Sequence, residues 1–466
     1  MLDSLNELLW IVSTYLWGLP LSLLLASTGL YLTLKLRFIQ VRGFGRAFGF
    51  IFPAGQSSDW VGQSGRATPA LGELNYYQAL STVLSSTIGT GNIVGVATAI
   101  SVGGPGALLW MWVVALLGMA TKYSECVLAL VYREQSKYGH TRGGPMYYIE
   151  NGLGQRYRPL ALIFSACAAI AALGTGDMVQ SNAISSALAE PLSRYISWSP
   201  SVLRGLIGIA LFTATVLVII GGLSRIAAVA SYLVPFMVVS YLLAGLISLT
   251  LNSHMIIPAL WEIIYCTPSP RAVAGGFAGG GVWLAMRMGV ARGTFSNEAG
   301  LGSAPIAYAT IKTDHPVKGG LVALMEPFVD TILVCTMTAL VVITSDLWKG
   351  DISGAVLTSR AFQAQLPYLG GLVVPLSLTL FAYTSILGWY YYGERCVEYL
   401  LGAVSIPFYK AAFLLALLVG AVAKLEIVWN FADLANALMA LPNLLALLLL
   451  SNVVRERTED YFRKNM

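Results

Sequence analysis

Residues 85–92 read Ser-Ser-Thr-Ile-Gly-Thr-Gly-Asn and lie inside an apolar run that covers residues 76–101. The glycines at positions 89 and 91 permit backbone conformations that a regular helix forbids. An unwound turn at membrane depth leaves amide and carbonyl groups free, and each costs several kcal/mol in hydrocarbon unless a partner satisfies it. The stretch therefore predicts a broken membrane helix whose free backbone groups bind a ligand. The alternative is that these small residues only allow close packing between helices.

The rest of the chain has the composition of a membrane protein. Of its 466 residues, 56% are hydrophobic and 11% are charged. Ordinary soluble domains carry roughly 25% charged residues, so water is not the main solvent of this chain. Apolar runs of about 20 residues, long enough to cross ~30 Å of hydrocarbon, recur about eleven times. The predicted transmembrane spans cover residues 12–35, 76–101, 106–132, 158–189, 201–222, 226–250, 277–309, 318–345, 367–399, 407–424 and 429–451.

The placement of basic residues predicts the orientation of these spans. Lysine and arginine cluster in the loops after the first and third spans, as at Arg37 and Arg142, and in the tail at 453–466. The positive-inside rule places such segments in the cytoplasm. We therefore predict a multi-pass protein of the cell inner membrane, with its N-terminus outside and its C-terminal tail in the cytoplasm. The net charge of +5 belongs to these loops and does not indicate nucleic-acid binding.

The number of spans indicates an internal repeat. When residues 12–35 are set aside as an extra N-terminal helix, two sets of five spans remain, at 76–250 and 277–452. The two sets enter the membrane from opposite sides, as in inverted-repeat transporters, whose leading helices are broken near the midplane. The second leading helix, at 277–309, is flanked or interrupted by Gly275-Gly276, Gly279-Gly280-Gly281, Gly289 and Gly293. The sequence thus predicts an all-α, single-domain membrane protein of about 11 transmembrane helices, with a 5+5 inverted repeat plus one extra helix.

Two broken helices favour a transporter over a channel or an enzyme. Their free amides face anions and their free carbonyls face cations, which suits a zwitterionic amino acid and a sodium ion. A channel would more often repeat a short pore module, and no such module is evident. An enzyme would need a cluster of titratable groups, but His140, His254 and His315 fall in loops or at span ends without metal-ligand spacing. The five cysteines are also far apart, so no metal knuckle is predicted.

Four motifs resemble those of one transporter family. They are Gly-Thr-Gly-Asn at 89–92, Gly-Gly-Pro-Gly at 103–106, Gly-Gly-Pro-Met-Tyr-Tyr-Ile at 143–149 and Ser-Asn-Glu-Ala-Gly-Leu-Gly-Ser-Ala-Pro at 296–305. They look like the motifs of the alanine or glycine:cation symporters, and the resemblance covers nearly the whole chain. It implies the ten-helix fold of the bacterial leucine transporter with one additional helix. It also implies symport of a small neutral amino acid with sodium or, in some members, with protons.

The resemblance further implies a substrate site. Residues 89–92 are similar to the Gly-Leu-Gly-Asn turn of the wider fold, so amides around Gly89–Gly91 are expected to hold the substrate carboxylate. Asn92 is expected to orient the substrate or a cation, or to form a structural hydrogen bond. Trp389 is expected to limit the pocket to small side chains, or to be an ordinary packing residue. The predicted substrate-binding residues are Thr87, Gly89, Thr90, Gly91, Asn92, Gln180, Trp283, Met286, Gly289 and Trp389.

The same resemblance places a sodium ion between the first broken helix and the ninth span. The expected ligands are the backbone carbonyls of Ser85 and Ile88 and the hydroxyls of Thr384 and Ser385. Sodium is a hard cation that favours such oxygens. The alternative is that the two hydroxyls only bond back to carbonyls of their own helix. No cofactor is expected beyond this coupling ion.

Charged residues inside the apolar runs are further candidates. Asp177, in the fourth span, stands where many members of the family have an uncharged Asn. It is expected to bind the substrate ammonium or a cation, to have a buried partner, or to lie on an exposed helix face. Asn297 and Glu298 precede Ala-Gly-Leu-Gly, which predicts a structural turn at the cytoplasmic end of a helix and not a ligand site. The residues expected to pair with one another or to line gates are Glu125, Arg287, Arg292, Glu298, Glu326 and Asp330.

Overall fold

The computed structural model describes residues 12, 15–17, 19–52, 72–136, 140–193, 196–269, 280–423 and 426–464. Across these ranges the chain is mainly α-helical, with one antiparallel pair of short strands, β1 Glu134–Gln135 and β2 Thr141–Arg142. The longer helices are α1 Leu19–Lys35, α2 Tyr76–Thr87, α3 Gly91–Gly103, α4 Gly106–Val131, α5 Gln155–Leu192, α6 Pro200–Ile219, α7 Gly222–Leu251, α8 Gly280–Asn297, α9 Pro316–Thr344, α10 Gly370–Leu401, α11 Ala403–Val422, α12 Glu426–Leu449 and α13 Ser451–Lys464. The shorter helices are Ile39–Arg42, Phe44–Ile51, Pro145–Tyr147, Tyr148–Gly152, Ser253–Ile264, Ala304–Tyr308, Leu347–Lys349 and Gly354–Gln365.

Eight helices of the described chain are long and apolar enough to cross a membrane, and the number is nine if α2 and α3 form one bent span. A multi-pass helical membrane protein is therefore confirmed. The predicted spans at 12–35 and 277–309 correspond to the 17-residue helix α1 and the 18-residue helix α8. Parts of both predictions, among them residues 13, 14 and 277–279, lie outside the described residues.

Burial separates central from peripheral helices. In the apolar window of α4, 83% of the residues are buried inside the protein, compared with 22% for α11 and 28% for α6. The peripheral helices present large apolar side chains outward, such as Leu217 and Val419. A surface of this kind is stable in lipid and prone to aggregation in water. Helix α4 is therefore the centre of the bundle, and the polar groups described below are arranged around it.

Helix α2 begins with a capping box. The side chain of Asn75 accepts a hydrogen bond from the Gln78 amide at 2.8 Å, and the Gln78 side chain accepts one from the Asn75 amide at 3.1 Å. Such reciprocal bonds satisfy two of the amides that a helix start leaves free. The start of the first broken span is thus fixed by its own sequence.

The second helix break does not lie among the glycines that predicted it. Helix α8 is continuous through Gly289 and Gly293, and the chain is non-helical only at 298–303, before helix Ala304–Tyr308. A methyl group added at Gly289 would lie 2.3 Å from the Ala107 carbonyl oxygen, so this glycine allows α8 to pack closely on α4. The earlier glycines at 275, 276 and 279 lie outside the described residues.

The turn at Glu298 is the break itself. Glu298, Gly300 and Gly302 have positive φ angles of 53°, 90° and 84°, which a continuous right-handed helix excludes. The turn predicted at Asn297 and Glu298 is therefore present, and it is also where α8 ends. It lies against α4, where a methyl group added at Gly118 would lie 2.9 Å from Ala299 Cβ.

The C-terminal tail is folded against the bundle. Helix α13 buries Tyr461 and Phe462, and the Thr458 hydroxyl lies 2.7 Å from the hydroxyl of Tyr123 in α4. The Phe462 ring also lies 4.6 Å from the Arg46 guanidinium. The tail predicted at 453–466 is thus an ordered helix through residue 464, docked on the end of α4.

Candidate functional site

The first break joins α2 and α3 at an angle of 54°. In a continuous helix the Gly89 amide would bond to the Ser85 carbonyl four residues earlier. Instead it donates to Asn92 Oδ1 at 2.9 Å, and Ile88 has an extended backbone with ψ of 101°. The Ser85 carbonyl consequently loses its helical partner, as an ion-binding carbonyl requires. The chain resumes in a wide π-helical turn at Gly91–Gly95.

The start of α3 at Gly91 packs against the last turn of α8. A methyl group added at Gly91 would lie 3.3 Å from Cα of Ser296, which precedes the second break by two residues. The Ser296 hydroxyl donates to Asp330 Oδ2 at 2.8 Å, and the Asn92 side-chain amide donates to Asp330 Oδ1 at 2.5 Å. Asp330 is fully buried in α9. Asn92 therefore connects the first break to α9 by hydrogen bonds on both sides of its amide, which fits the structural alternative for this residue and leaves its role toward a ligand a prediction.

Helix α10 contacts the first break through Ser385. The Ser385 hydroxyl lies 3.3 Å from the Ile88 carbonyl oxygen, and a methyl group added at Gly89 would lie 2.7 Å from Ser385 Oγ. The Thr384 hydroxyl instead donates to the Phe381 carbonyl of its own helix at 3.0 Å and lies 3.5 Å from the sulfur of Met237. The two hydroxyls predicted as a pair thus have different surroundings, and only Ser385 reaches the break.

Helix α5 contacts the first broken span through Gln180. The Gln180 side-chain amide donates to the Thr175 carbonyl at 3.1 Å and lies 3.4 Å from the Thr90 hydroxyl. Trp389 packs directly on Gly176, where an added methyl group would lie 2.3 Å from Trp389 Cβ. Trp389 is buried, and its contact with Gly176 fits both a pocket wall and a packing aromatic.

Asn436 in α12 is a polar neighbour of Thr175 in α5, and the sequence did not predict it as a site residue. Its side-chain amide donates to the Thr175 hydroxyl at 2.9 Å, and its side-chain oxygen is buried without a hydrogen-bond partner in the described part of the chain. The side-chain oxygen of Gln180 is likewise buried and has no hydrogen-bond partner among the described residues. Both oxygens are able to accept a hydrogen bond from an N–H donor such as a substrate ammonium.

Asp177 lies in a second wide turn, Gly174–Met178, and is fully buried. Among the described residues neither of its carboxylate oxygens has a hydrogen-bond partner. The possibility of an exposed helix face is thereby excluded, and no buried cationic partner bonds to it in this conformation. A cation, a proton or a substrate ammonium remains a possible ligand.

Three predicted substrate residues lie far from the first break. The part of α8 that approaches the break is Phe295–Ser296. At 1.5 Å rise per residue, Met286 and Trp283 are roughly 15 and 20 Å further along the helix. Trp283 is 42% exposed, and Gly289 faces Ala107 in α4. The structure thus does not bring Trp283, Met286 and Gly289 together with Gly89–Asn92.

A buried ion pair supports the first break from the side of α4. Lys122 Nζ lies 2.7 Å from Glu326 Oε1 in α9, and both side chains are fully buried. The Thr87 hydroxyl donates to the same carboxylate oxygen at 2.9 Å. Thr87 therefore contacts a charged pair, a neighbour that its position in an apolar run did not predict.

The histidines are placed away from these polar groups. His315 caps α9 by accepting a hydrogen bond from the Val317 amide at 3.2 Å, and burial lowers the pKa of its imidazole. His140, directly before strand β2, has its Nδ1 atom 3.5 Å from Glu73 Oε1. In the described residues no group of three or more His, Cys, Asp or Glu side chains is arranged to hold a metal ion.

Two interrupted helices that meet inside a bundle of apolar spans define a class of membrane protein. Their meeting point combines backbone groups without helical partners, hydroxyls and carboxamides, and such sites bind small polar solutes and ions in secondary transporters.

Comparison with known proteins leads to the same class. The Sodium:alanine symporter family matches residues 2–466 of this chain. The sodium/alanine symporter AgcS of Methanococcus maripaludis is 45% identical over 462 residues, with 97% of each chain covered. An uncharacterized transporter of Haemophilus influenzae is 44% identical over 464 residues, with 99% of this chain and 97% of the relative covered. The chain therefore belongs to the sodium:alanine symporter family, and it is a membrane transporter and not an enzyme.

A solved structure shares the fold. The crystal structure of MhsT in complex with L-phenylalanine superposes with a TM-score of 0.59 at 15% identity, covering 81% of this chain and 89% of that chain. This likeness supports the leucine-transporter-type fold that the sequence motifs imply. Sodium-coupled amino acid transport across the cell membrane is thus shown at the level of the family.

Proposed function

We propose that this chain is a secondary active symporter that imports alanine, glycine or both together with sodium by alternating access. The observation that carries the proposal is the contact between the helix ends next to the two breaks, at Gly91 and Ser296, together with the Ser385 hydroxyl beside Ile88 and Gly89. A transported solute must be released as well as bound, and unwound backbone supplies ligands that a small rearrangement removes.

In this proposal the amides around Gly89–Gly91 hold the substrate carboxylate at the positive end of α3. The unpartnered side-chain oxygens of Gln180 and Asn436 are suited to the ammonium group. Trp389 sets the size limit of the pocket. These roles assign each part of a zwitterionic amino acid to a group of opposite character.

Sodium is proposed to bind between the first break and α10. Its ligands are the Ser85 and Ile88 carbonyls and the Ser385 hydroxyl, with Thr384 joining them only if its side chain rotates away from Met237. All of these are oxygen ligands, which a hard cation prefers. No other cofactor is part of the proposal.

The proposed architecture is eleven spans, with α1 as the extra helix followed by two inverted sets of five. The loop arginines support a cytoplasmic C-terminus and an N-terminus outside. The bent span α2–α3 and the interrupted span α8 with Ala304–Tyr308 are in corresponding positions of the two halves, which supports this division.

Competition for uptake tests the substrate class. Proteoliposomes containing the purified chain are given radiolabelled alanine and an inward sodium gradient, and unlabelled amino acids are added in excess. We expect glycine and alanine to compete and phenylalanine and charged amino acids to have little effect. Equal competition by phenylalanine would contradict a pocket limited to small side chains.

A proton-coupled symporter of the same fold is the second candidate. It is favoured by Asp177, a buried carboxyl with no partner among the described residues. Uptake driven by an imposed proton gradient, with sodium absent on both sides, would select this candidate.

A further inference from the structure

Lys122 is a lysine in the centre of a membrane protein. It lies in α4, and its side chain is fully buried together with that of Glu326. Burying two charges costs more than their attraction returns unless further hydrogen bonds stabilise the arrangement. Intramembrane ion pairs that persist at this cost are found where they serve a function.

The pair is bonded to the end of the first broken helix. Glu326 Oε1 is 2.7 Å from Lys122 Nζ and accepts the Thr87 hydroxyl hydrogen bond at 2.9 Å. Thr87 is the last residue of α2, and Ile88 and Gly89 follow directly. The Thr87 hydroxyl also lies 2.8 Å from the Val83 carbonyl oxygen of its own helix, so its contact with Glu326 ties the last turn of α2, directly before the break, to α9.

Helix α4 is connected to the second break as well. One turn after Lys122, Glu125 accepts a hydrogen bond from the Asn443 side-chain amide at 2.6 Å. The same amide donates to the Gly300 carbonyl at 2.9 Å, inside the second break. Glu326 in α9 thus contacts the end of α2 next to the first break. Glu125 in α4 is linked through Asn443 to the second break.

We infer that Glu326, whose charge Lys122 balances, is a positioning residue of the ion site: through Thr87 it holds the Ile88 carbonyl in the orientation that binds sodium. This inference rests on the proposed sodium symport. Neither side chain touches the ion. Their effect is therefore expected on the apparent sodium affinity and not on the amount of protein or its maximal rate.

The test compares two variants in which both members of the ion pair are replaced by neutral side chains. Lys122→Met with Glu326→Gln keeps an acceptor for the Thr87 hydroxyl, because a glutamine side chain carries one carbonyl oxygen. Lys122→Met with Glu326→Leu is similar in size but has no acceptor. Replacing a buried ion pair by neutral residues of similar volume is commonly tolerated, so both variants are expected to insert and fold.

Sodium dependence of alanine uptake in proteoliposomes is the readout. We expect the Gln variant to stay within about threefold of the wild-type apparent sodium constant and the Leu variant to raise it by about tenfold or more, with similar maximal rates. Thr338→Val is the matched control, because it removes another buried hydrogen bond of α9, the 2.7 Å contact with the Tyr241 hydroxyl. It is expected to leave the sodium constant unchanged.

Equal sodium constants in the Gln and Leu variants would overturn the inference, as would an effect of Thr338→Val as large as that of the Leu variant. Wild-type protein that shows no sodium-driven uptake would contradict the proposed function itself. The two failures are therefore distinguished within one set of measurements.

Discussion

The hydroxyl of Ser385 lies 3.3 Å from the carbonyl oxygen of Ile88, so helix α10 contacts the first break at the residue where α2 ends. Thr384, one position earlier, points toward Met237 in α7. Adjacent residues on a helix are separated by about 100° of rotation, and only one of them faces a given neighbour. The proposed sodium site therefore depends unequally on the two hydroxyls.

Replacing Ser385 by Ala should raise the apparent sodium constant for alanine uptake by about tenfold, which corresponds to about 1.4 kcal/mol. The lost hydroxyl leaves the cation with one fewer oxygen in a site without water. Thr384→Ala should have the smaller effect, since its hydroxyl bonds to its own helix. Alanine affinity at saturating sodium should recover in part, because binding of ion and substrate is reciprocal. Sodium titrations of initial uptake rates measure both effects, and equal shifts in the two variants would contradict the unequal roles.

Substituting Gly91 by Leu should abolish alanine binding and leave membrane insertion intact. Even the first carbon of a side chain at this position would lie 3.3 Å from Ser296 Cα, so the larger leucine would separate the two breaks. Gly371→Leu is the control, since no atom lies within 4 Å of a methyl group added there. Equilibrium binding of radiolabelled alanine to purified protein is the measurement. Wild-type affinity in the Gly91 variant would place the site elsewhere.

The role of Trp389 can be tested by its removal. Trp389→Ala should admit larger neutral amino acids such as leucine, because the buried indole packs on Gly176 in the helix that carries Gln180, and its loss opens that space. Trp261→Ala, at a position 52% exposed on the outer surface, should leave the substrate profile unchanged. Competition of unlabelled amino acids against alanine uptake gives the profile. If it is the same in both variants, Trp389 is a packing residue only.

Much of the fold follows from hydrophobic run length, because a helix must satisfy its own backbone groups in hydrocarbon. The first break was also predictable, since Gly89 and Gly91 stand beside hydroxyls and an Asn within a single apolar run. The position of the second break within 277–309 could not be predicted. Glycine density was taken as its signal, but the glycines of α8 serve packing on α4, and the break requires positive φ angles at Glu298, Gly300 and Gly302.

Residues that act across helices were the least predictable. Asn436 bonds to Thr175 because α12 packs beside α5, and Asp330 bonds to Asn92 because α9 packs beside α3. The local sequence of Asn436 and Asp330 does not indicate these partners. The different orientations of Thr384 and Ser385 likewise depend on the rotation of α10 against its neighbours. The types of these residues indicated polar roles, but their hydrogen-bond partners could be identified only from the packed structure.

Asp177→Asn should retain at least half of the wild-type sodium-driven uptake. An unpaired carboxylate is costly in a membrane span, and neither oxygen of Asp177 has a partner among the described residues, so a neutral amide of the same shape should be tolerated. Glu190→Gln, at an exposed position on the same helix, is the matched control. Uptake is measured with sodium and proton gradients imposed separately. Loss of sodium-driven uptake in the Asp177 variant alone would identify this carboxyl as a coupling group.

Symport with sodium is tested most directly by the steady-state accumulation of radiolabelled alanine in proteoliposomes. An inward sodium gradient should concentrate alanine inside above its external level, because each inward step carries both solutes. Collapse of the gradient with a sodium ionophore should return the ratio of internal to external alanine to one. Accumulation that is indifferent to sodium, or equilibration to a ratio of one in its presence, would contradict sodium-coupled import by this chain.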